Sequence, residues 1–410
     1  MPSNELTVRP LAESDMARFL EVDAVTFLET PPSPELAAFS RAVLEVDRSI
    51  GLFDGATQVG DASIFTLRTT VPDGIVLPMA GVTWVSVLPT HRRRGGLTKL
   101  MRHQLDTLHE TGSEVLAGLT ASEDGIYGRF GYGTATYRAT ATVTRQANAL
   151  RLPAGTEDVA LRLVDPSEAR AVCDEIYARA VLRRPGMLAR SGIWSDLAIS
   201  EVPEFREGRS LLRCVLAERD GKPVGYARYR AKGDDDGGEL YVYEAHADDA
   251  AAYAALWRML LSVDLVSQIC VRSLPVDDPL FSMLESSRAA LRGPRRDGLH
   301  LRLVDVDRAL AARTYSTPID VVLEVRDRFC PWNAGSWRLS GDEKGATCTR
   351  TDSPAELSLD VRDLAAAYLG GRKLVGLATA GLVTEHRAGA LAATSRAFAG
   401  DLEPWLPFGI

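Results

Sequence analysis

Val82-Thr83-Trp84-Val85-Ser86-Val87-Leu88-Pro89-Thr90-His91-Arg92-Arg93-Arg94-Gly95-Gly96-Leu97-Thr98 reads as a strand that runs into a basic turn and then a helix. Val82 to Val87 alternates in the manner of a strand, and Pro89 stops it. Beyond the turn, Leu97, Leu100, Met101, Gln104, Leu105 and Leu108 fall at helical spacing, and Gly112 lies just past the last of them. Three arginines and two glycines alone would read as a solvated loop. The V-x-V-x-P before them and the amphipathic helix after them change that reading. A free strand edge can hydrogen-bond a peptide-like arm. A glycine turn admits an anion to backbone amides, and a helix start aims its positive end at the same anion. A pyrophosphate joined to a pantetheine arm, as in acyl-CoA, has the matching chemistry.

On either side of this stretch, elements alternate. Leu6 to Val8, Ser49 to Phe53, Val59 to Arg68, Ile75 to Val87, Val115 to Thr120 and Thr134 to Thr144 read as strands. Ser14 or Asp15 is placed to cap a helix carrying Met16, Phe19, Leu20 and Val22. Ile126 to Phe130 suits a short helix. After Pro153-Ala154-Gly155 the order strand, helix, hairpin, strand, helix recurs, with Val159 to Val164, Ala169 to Leu182, Leu212 to Arg230, Leu240 to Ala245 and Ala250 to Leu261. A duplicated α/β unit is expected. A third segment begins near Pro294, with strands at His300 to Val304, Val321 to Arg326, Trp337 to Ser340, Ala346 to Arg350 and Ala355 to Leu359. Helices follow at Val361 to Leu369 and Gly389 to Ala399. This is an α+β pattern. The polar stretches 231–238 and 341–345 read as loops. The expected domains are thus 1–150, 151–293 and 294–410.

With 410 residues, 46% hydrophobic and 25% charged, the composition is that of a globular protein of two or three domains. A net charge of -8 argues against a nucleic-acid partner and is compatible with a cationic amine substrate, although acidity also serves solubility. No apolar run of about 18 residues is present, and the start MPSNELTVRP is unlike a signal peptide. No membrane partner and a cytoplasmic location are expected. The five scattered cysteines form no CxxC pair, so neither a disulfide framework nor a metal site is expected.

Residues 82–98 resemble motif A of the GNAT acetyltransferases, R/Q-x-x-G-x-G/A, with Leu97 where the last small residue usually stands. The fuller run Pro89-Thr90-His91-Arg92-Arg93-Arg94-Gly95 is followed later by Ala121-Ser122-Glu123-Asp124-Gly125-Ile126-Tyr127-Gly128-Arg129-Phe130-Gly131-Tyr132-Gly133. Together they resemble the Eis (enhanced intracellular survival) family over the whole chain. Tyr368-Leu369-Gly370-Gly371 resembles a patch of that family's last domain. The resemblance implies two tandem GNAT folds followed by a sterol-carrier-protein-like domain, acetyl-CoA as co-substrate, and a homohexamer. It implies Tyr127 as general acid toward the departing thiolate and the C-terminal carboxylate, here that of Ile410, as general base. It implies CoA contacts at Val85, Ser86, Val87, Arg93, Arg94, Gly95, Gly96, Leu97, Thr98, Ser122 and Glu123. Acceptors in the family are amines of polycationic small molecules, aminoglycosides among them, and some members acetylate lysines.

These roles agree with the chemistry. An ammonium acceptor must lose a proton before it attacks, and a thiolate leaving group needs one. Backbone amides near Val85 to Val87 suit the thioester carbonyl. The terminal run Glu403-Pro404-Trp405-Leu406-Pro407-Phe408-Gly409-Ile410 is too apolar for a frayed tail. Glu29 and Glu403 are candidate anchors for a cationic acceptor, with Phe27, Trp84 and Phe408 as apolar walls. A core role for Phe27 and Trp84 competes with that. His91 reads as positional, and Arg129 and Tyr132 as structural. The repeat's own turn, Glu244-Ala245-His246-Ala247-Asp248-Asp249-Ala250, has no glycine and carries two acids where a phosphate would sit. One acyl-CoA site per chain is expected, with the second unit walling the acceptor cavity. Two other readings stay open: a protein or peptide lysine acetyltransferase, and a non-catalytic lipid-binding or scaffold protein.

Overall fold

Residues 5–144, 150–233, 237–286 and 290–410 are described by the computed structural model of the chain. The loop expected over 231–238 includes 234–236, and the expected boundary at 150 follows 145–149; both short stretches lie outside the described residues. Contacts group the chain into two units. One holds Met1–Ala135, Leu299–Asp401 and Gly409–Ile410; the other holds Thr136–Gly298 and Leu402–Phe408.

The first unit opens with β1 (Thr7–Pro10), α1 (Met16–Phe27), α2 (Pro34–Val43), β2 (Ser49–Asp54), β3 (Thr57–Thr70), β4 (Val76–Val87), α3 (Gly96–Thr111), β5 (Leu116–Thr120) and β6 (Gly133–Thr134). Met16, Phe19 and Val22 are buried along one face of α1, as the spacing predicts. The cap differs from expectation. The Asp15 carboxylate accepts from the Ala12 amide and pairs with Arg9, so it serves the turn before α1 and not the helix. The sequence reading missed α2, which buries only Val43 and is held at its start by Ser33, whose hydroxyl accepts from the Leu36 amide. In the sheet, β4 and β5 are parallel but pair only over Met79–Gly81 and Leu116–Gly118. From Val82 onward β4 pairs with β3 alone. Trp84 adopts φ 44, and the register to β3 slips there, so β4 bends away from β5.

The chain leaves this sheet at Ala135 and Thr136, where the strand expected over 134–144 is split. Its second part, β7 (Tyr137–Thr144), pairs in another sheet. That sheet belongs to the second unit, which contains β8 (Ala160–Val164), α4 (Arg170–Val181), α5 (Ile193–Leu197), α6 (Pro203–Arg206), β9 (Arg213–Arg219), β10 (Lys222–Lys232), β11 (Gly238–Ala247), α7 (Ala250–Ser262), β12 (Val266–Leu274), α8 (Pro279–Met283), β13 (Ala290–Arg292) and β14 (Arg296–Asp297). The strand order is β13-β7-β12-β11-β10-β9-β8. Trp257, Leu256 and Leu260 of α7 fill its core against Val215, Leu240 and Ile269. The element order repeats that of the first sheet, so the duplication expected from the sequence is present in the fold.

The third stretch begins with β15 (Leu299–Leu303), which returns to the first sheet and pairs antiparallel with β5 and β6. Both expected domain boundaries are therefore crossed. A splayed β5 leaves an edge that a distant strand completes, and composition carries no sign of such pairing. There follow α9 (Val306–Ala311), β16 (Ile319–Arg326), β17 (Gly335–Asp342), β18 (Gly345–Arg350), β19 (Leu357–Asp360), α10 (Val361–Ala367), α11 (Leu374–Thr379), β20 (Val383–Glu385) and α12 (Ala390–Phe398). The five strands β18-β17-β16-β19-β20 form their own sheet, with Tyr368, Leu364 and Phe398 buried under it. This is the α+β arrangement expected from the order of strands and helices. No helix is long and apolar enough to cross a membrane among the described residues.

Candidate active site

The half of β4 that is free of β5 and the start of α3 lie at the two ends of one continuous turn. Ser86 points inward and donates 2.8 Å to the buried Asp61 carboxyl, so its backbone, not its hydroxyl, is available at the strand edge. Burial pushes the Asp61 carboxyl well above the usual carboxylate range. Val85 packs inward, so the strand presents amides in a dry setting. In the turn, Arg93 and Gly95 both take left-handed φ, 62 and 82. Such reversals turn successive amides toward one concave side. Gly95 is the N-cap of α3 and offers no side chain to it. Gly96 packs so tightly that a Cβ there would stand 2.4 Å from Leu52. The first amides of a helix have no acceptor inside it, so this end can receive an anion from outside.

The arginines divide their work. Arg94 pairs with Asp54 at 2.8 Å, and His91 lies 3.4 Å from the same carboxylate. Arg93, Thr98, Ser122 and Glu123 are exposed. Leu97, the departure from the usual small residue, packs into the core beside Val85.

Tyr127 opens the short 3-10 helix Tyr127–Phe130, after β5. Its ring meets Tyr132 edge-on at 6.0 Å. Burial, reinforced by Glu123 and opposed by Arg129, pushes its phenol up to about 12. The loop around it is clamped from below. Gly131 takes φ 85, and a Cβ there would overlap the Arg302 guanidinium. Arg302 of β15 is fully buried and ion-paired with Asp327. Tyr132 is buried beside it.

Ile410 is held at the C-terminal end of β5. The Thr120 hydroxyl donates to the Ile410 carboxyl oxygen at 2.7 Å, and the Ile410 amide lies 3.3 Å from the same hydroxyl. The sequence reading missed Thr120, Asp54, Asp61 and Arg302. A threonine ending a strand carries no signal of its own, and Asp54 falls between the expected strands Ser49 to Phe53 and Val59 to Arg68.

The five acceptor candidates separate. Phe27 and Glu29 are exposed at the end of α1, and Trp84 packs edge-on between Phe19 at 5.6 Å and Phe65 at 5.3 Å. Glu403 and Phe408 belong to the second unit. There the Glu403 carbonyl accepts from Arg184, and Phe408 stacks on Trp194.

A sheet that splays beside a glycine-capped helix defines a GNAT-type acyltransferase fold. Family models agree: acetyltransferase (GNAT) domains match residues 7–135 and 186–303, and a sterol carrier protein domain matches 306–407. The chain is 48% identical to an uncharacterized N-acetyltransferase of Streptomyces avermitilis over 98% of its own length and 99% of that protein's. It is 36% identical to the N-acetyltransferase Eis of Mycobacterium tuberculosis over 90% and 91%. The crystal structure of Eis1 from Mycobacterium abscessus superposes with TM-score 0.85 at 34% identity, covering 99% of this chain and 100% of that one. The chain belongs to the Eis family of GNAT N-acetyltransferases, a class that uses acetyl-CoA.

Proposed function

We propose that the chain transfers an acetyl group from acetyl-CoA to amines of polycationic small molecules such as aminoglycosides, with Tyr127 as general acid and the Ile410 carboxylate as general base. The observation that carries this reading is the Thr120 clamp, which fixes the terminal carboxylate at the end of the strand that diverges from β4. A free chain end would not be so held.

Acetyl-CoA supplies the acetyl thioester. Gly95, Gly96, Leu97 and Thr98 offer backbone amides to its pyrophosphate, Arg93 adds charge, and Val85 to Val87 offer the strand edge to its pantetheine arm. Ser122 and Glu123 border the same cradle. The Ile410 carboxylate takes a proton from the acceptor ammonium, so that the nitrogen lone pair can form the bond to the carbonyl carbon. As the carbon–sulfur bond breaks, the Tyr127 hydroxyl protonates the sulfur; the second proton shed by the acetylated nitrogen restores the phenol, and the one held by the Ile410 carboxyl leaves to solvent. The raised pKa of Tyr127 keeps its proton in place at neutral pH, as a donor requires. In the first unit, Glu29 and Phe27, both exposed at the end of α1, attract the cationic acceptor and offer it apolar contact, respectively.

The test is CoA-thiol release with polyamine, aminoglycoside and lysine-peptide acceptors. The native chain is run beside one extended by several residues after Ile410, with acetyl-CoA affinity measured for both. We expect aminoglycosides to turn over fastest and the extension to remove most turnover while leaving affinity unchanged. Equal rates in the two forms would take Ile410 out of the mechanism. Preference for lysine peptides would favour the protein-acetylating alternative. The homohexamer expected from the family is checked by light scattering against the 44.4 kDa chain mass.

A further inference from the structure

The second unit keeps the splayed cleft of the fold but lines it differently. β11 and β12 run parallel and in register only as far as Val242 and Val271. Past that point a cavity of about 310 Å³ opens between them, at the small end of the range for ligand sites. Its wall is completed by α5, α6 and the tail residues Pro407 and Phe408. The tail is fixed there, because the Trp405 indole donates to Ser273 at 3.0 Å and the Trp405 amide to the Pro185 carbonyl at 2.9 Å.

Charge decides what this cavity can hold. Four arginines line it, Arg138, Arg190, Arg209 and Arg272, against two carboxylates, Glu207 and Glu244. Each carboxylate is already shared. Glu207 accepts from Arg209 at 2.7 Å and Arg272 at 2.8 Å. Glu244 accepts from Arg190 at 2.9 Å and from the fully buried Arg228 at 2.7 Å. Burial opposes ionisation of Glu244, but the two guanidiniums outweigh it and lower its carboxyl to about 2. Neither acid is left for a ligand cation, and the arginines remain in excess. Arg138 and Arg209 each bury an Nε that has no hydrogen-bond partner among the described residues, and of the two Arg209 is already tied to Glu207. Glu207, which ties two of the arginines, holds a left-handed φ of 49, a strain that tends to persist at ligand sites.

The rest of the lining is flat. Trp194 and Phe408 stack at 6.2 Å with 23° between their planes, and Arg209 lies over the Tyr241 ring at 3.8 Å. Planar apolar faces beside surplus guanidiniums suit a planar body with an anionic end. We propose that this cavity is a binding site for a small aromatic anion, a carboxylate or a phosphate ester, whose charged end is received by Arg138 and whose ring lies against Trp194 and Phe408. The proposal stands on the second unit alone and does not depend on the acetyl-transfer reading.

The test is calorimetric titration of the full chain with phenylacetate, phenyl phosphate and, as the cation of similar shape, phenethylamine. Both anions, or one of them, should bind, and phenethylamine should not. The stronger of the two anions identifies the source of the charge. Arg138→Gln should weaken anion binding by roughly tenfold or more. Because removing a half-buried arginine can disturb folding, the 65% exposed Arg272 provides a second variant. Arg272→Gln should weaken the same binding several-fold, with a cooperative melting curve showing that the chain still folds. Binding of phenethylamine in preference to the anions would overturn the proposal. So would no binding at millimolar concentration, or anion affinity unaltered in both variants.

Discussion

The helix α3 and its counterpart α7 begin at equivalent places in the two copies of one fold, yet their first turns are opposite in kind. At α3 the cap is Gly95, without a side chain and in a left-handed conformation. At α7 the cap is Asp249, whose carboxylate accepts from the Ala252 amide at 2.9 Å and also pairs with Arg219. The neighbouring Asp248 is held by Arg179 and Arg183. One helix leaves its positive end for an anion from outside, while the other has already met that need with its own aspartate. The second copy thus supplies its own anion at the helix start, without any change of architecture.

The buried acids follow the same division. In the first unit Asp23 sits in α1 without a partner for Oδ1, and burial, aided by Glu29, pushes its carboxyl up to about 7. In the second, Glu244 is ionised between two arginines.

The largest effect should come from Tyr127→Phe; residues 275–286, which follow β12 in the second copy, contain no tyrosine. Turnover measured by thiol release should fall by roughly 10²- to 10⁴-fold with acetyl-CoA affinity kept. A normal rate would show that the thiolate leaves without this donor. Gly95→Asp would give α3 the self-capped turn of α7. We expect calorimetric acetyl-CoA affinity to drop by roughly 10- to 100-fold, from the added charge and from the strain of a side chain at φ 82. Unchanged affinity would remove this turn from the phosphate site.

Asp23→Asn tests the second contrast through pH. Its folded pKa is raised, so the proton favours the folded state below about 4, the ordinary range of an unfolded aspartate, and that advantage is lost as pH rises through about 7. At pH 8 the variant should be more stable than the native chain by on the order of 1 kcal/mol after allowance for solvent screening. The difference should shrink toward pH 4; thermal melts across pH that keep the two parallel would contradict it. The smallest effect belongs to Asp249→Ala. Loss of the cap should lower stability by about 1 kcal/mol and still confer no second acetyl-CoA site, because Gly95 and Gly96 have no counterparts there. A stoichiometry of two per chain would break the comparison outright.

Much of this division was legible in the chain itself. The strand, turn and helix of residues 82–111 are local, and the two acids at 248 and 249 announce the altered repeat. The two-sheet duplication and the terminal α+β part also followed from element order. What stayed hidden depends on residues far apart in sequence. Thr120 meets Ile410 only after the chain has closed on itself, and Arg302 reaches Asp327 beneath the tyrosine loop only because β15 joins the first sheet. The guanidinium-lined cleft draws on residues from 138 to 408, a set no spacing rule assembles.

The return of β15 has a consequence for how the protein comes into being on the ribosome. Leu299 pairs with Thr120, 299 − 120 = 179 positions earlier. At about 5–20 residues per second, β5 waits roughly ten to forty seconds for its neighbour. Through that interval the first sheet has an open, apolar edge, and β7 too awaits its partners β12, β13 and β14. Such high contact order makes folding slow and leaves the nascent chain dependent on protection from its fellows. A gene cut at residue 150, however natural that boundary looks, should yield a product that aggregates where the whole chain does not.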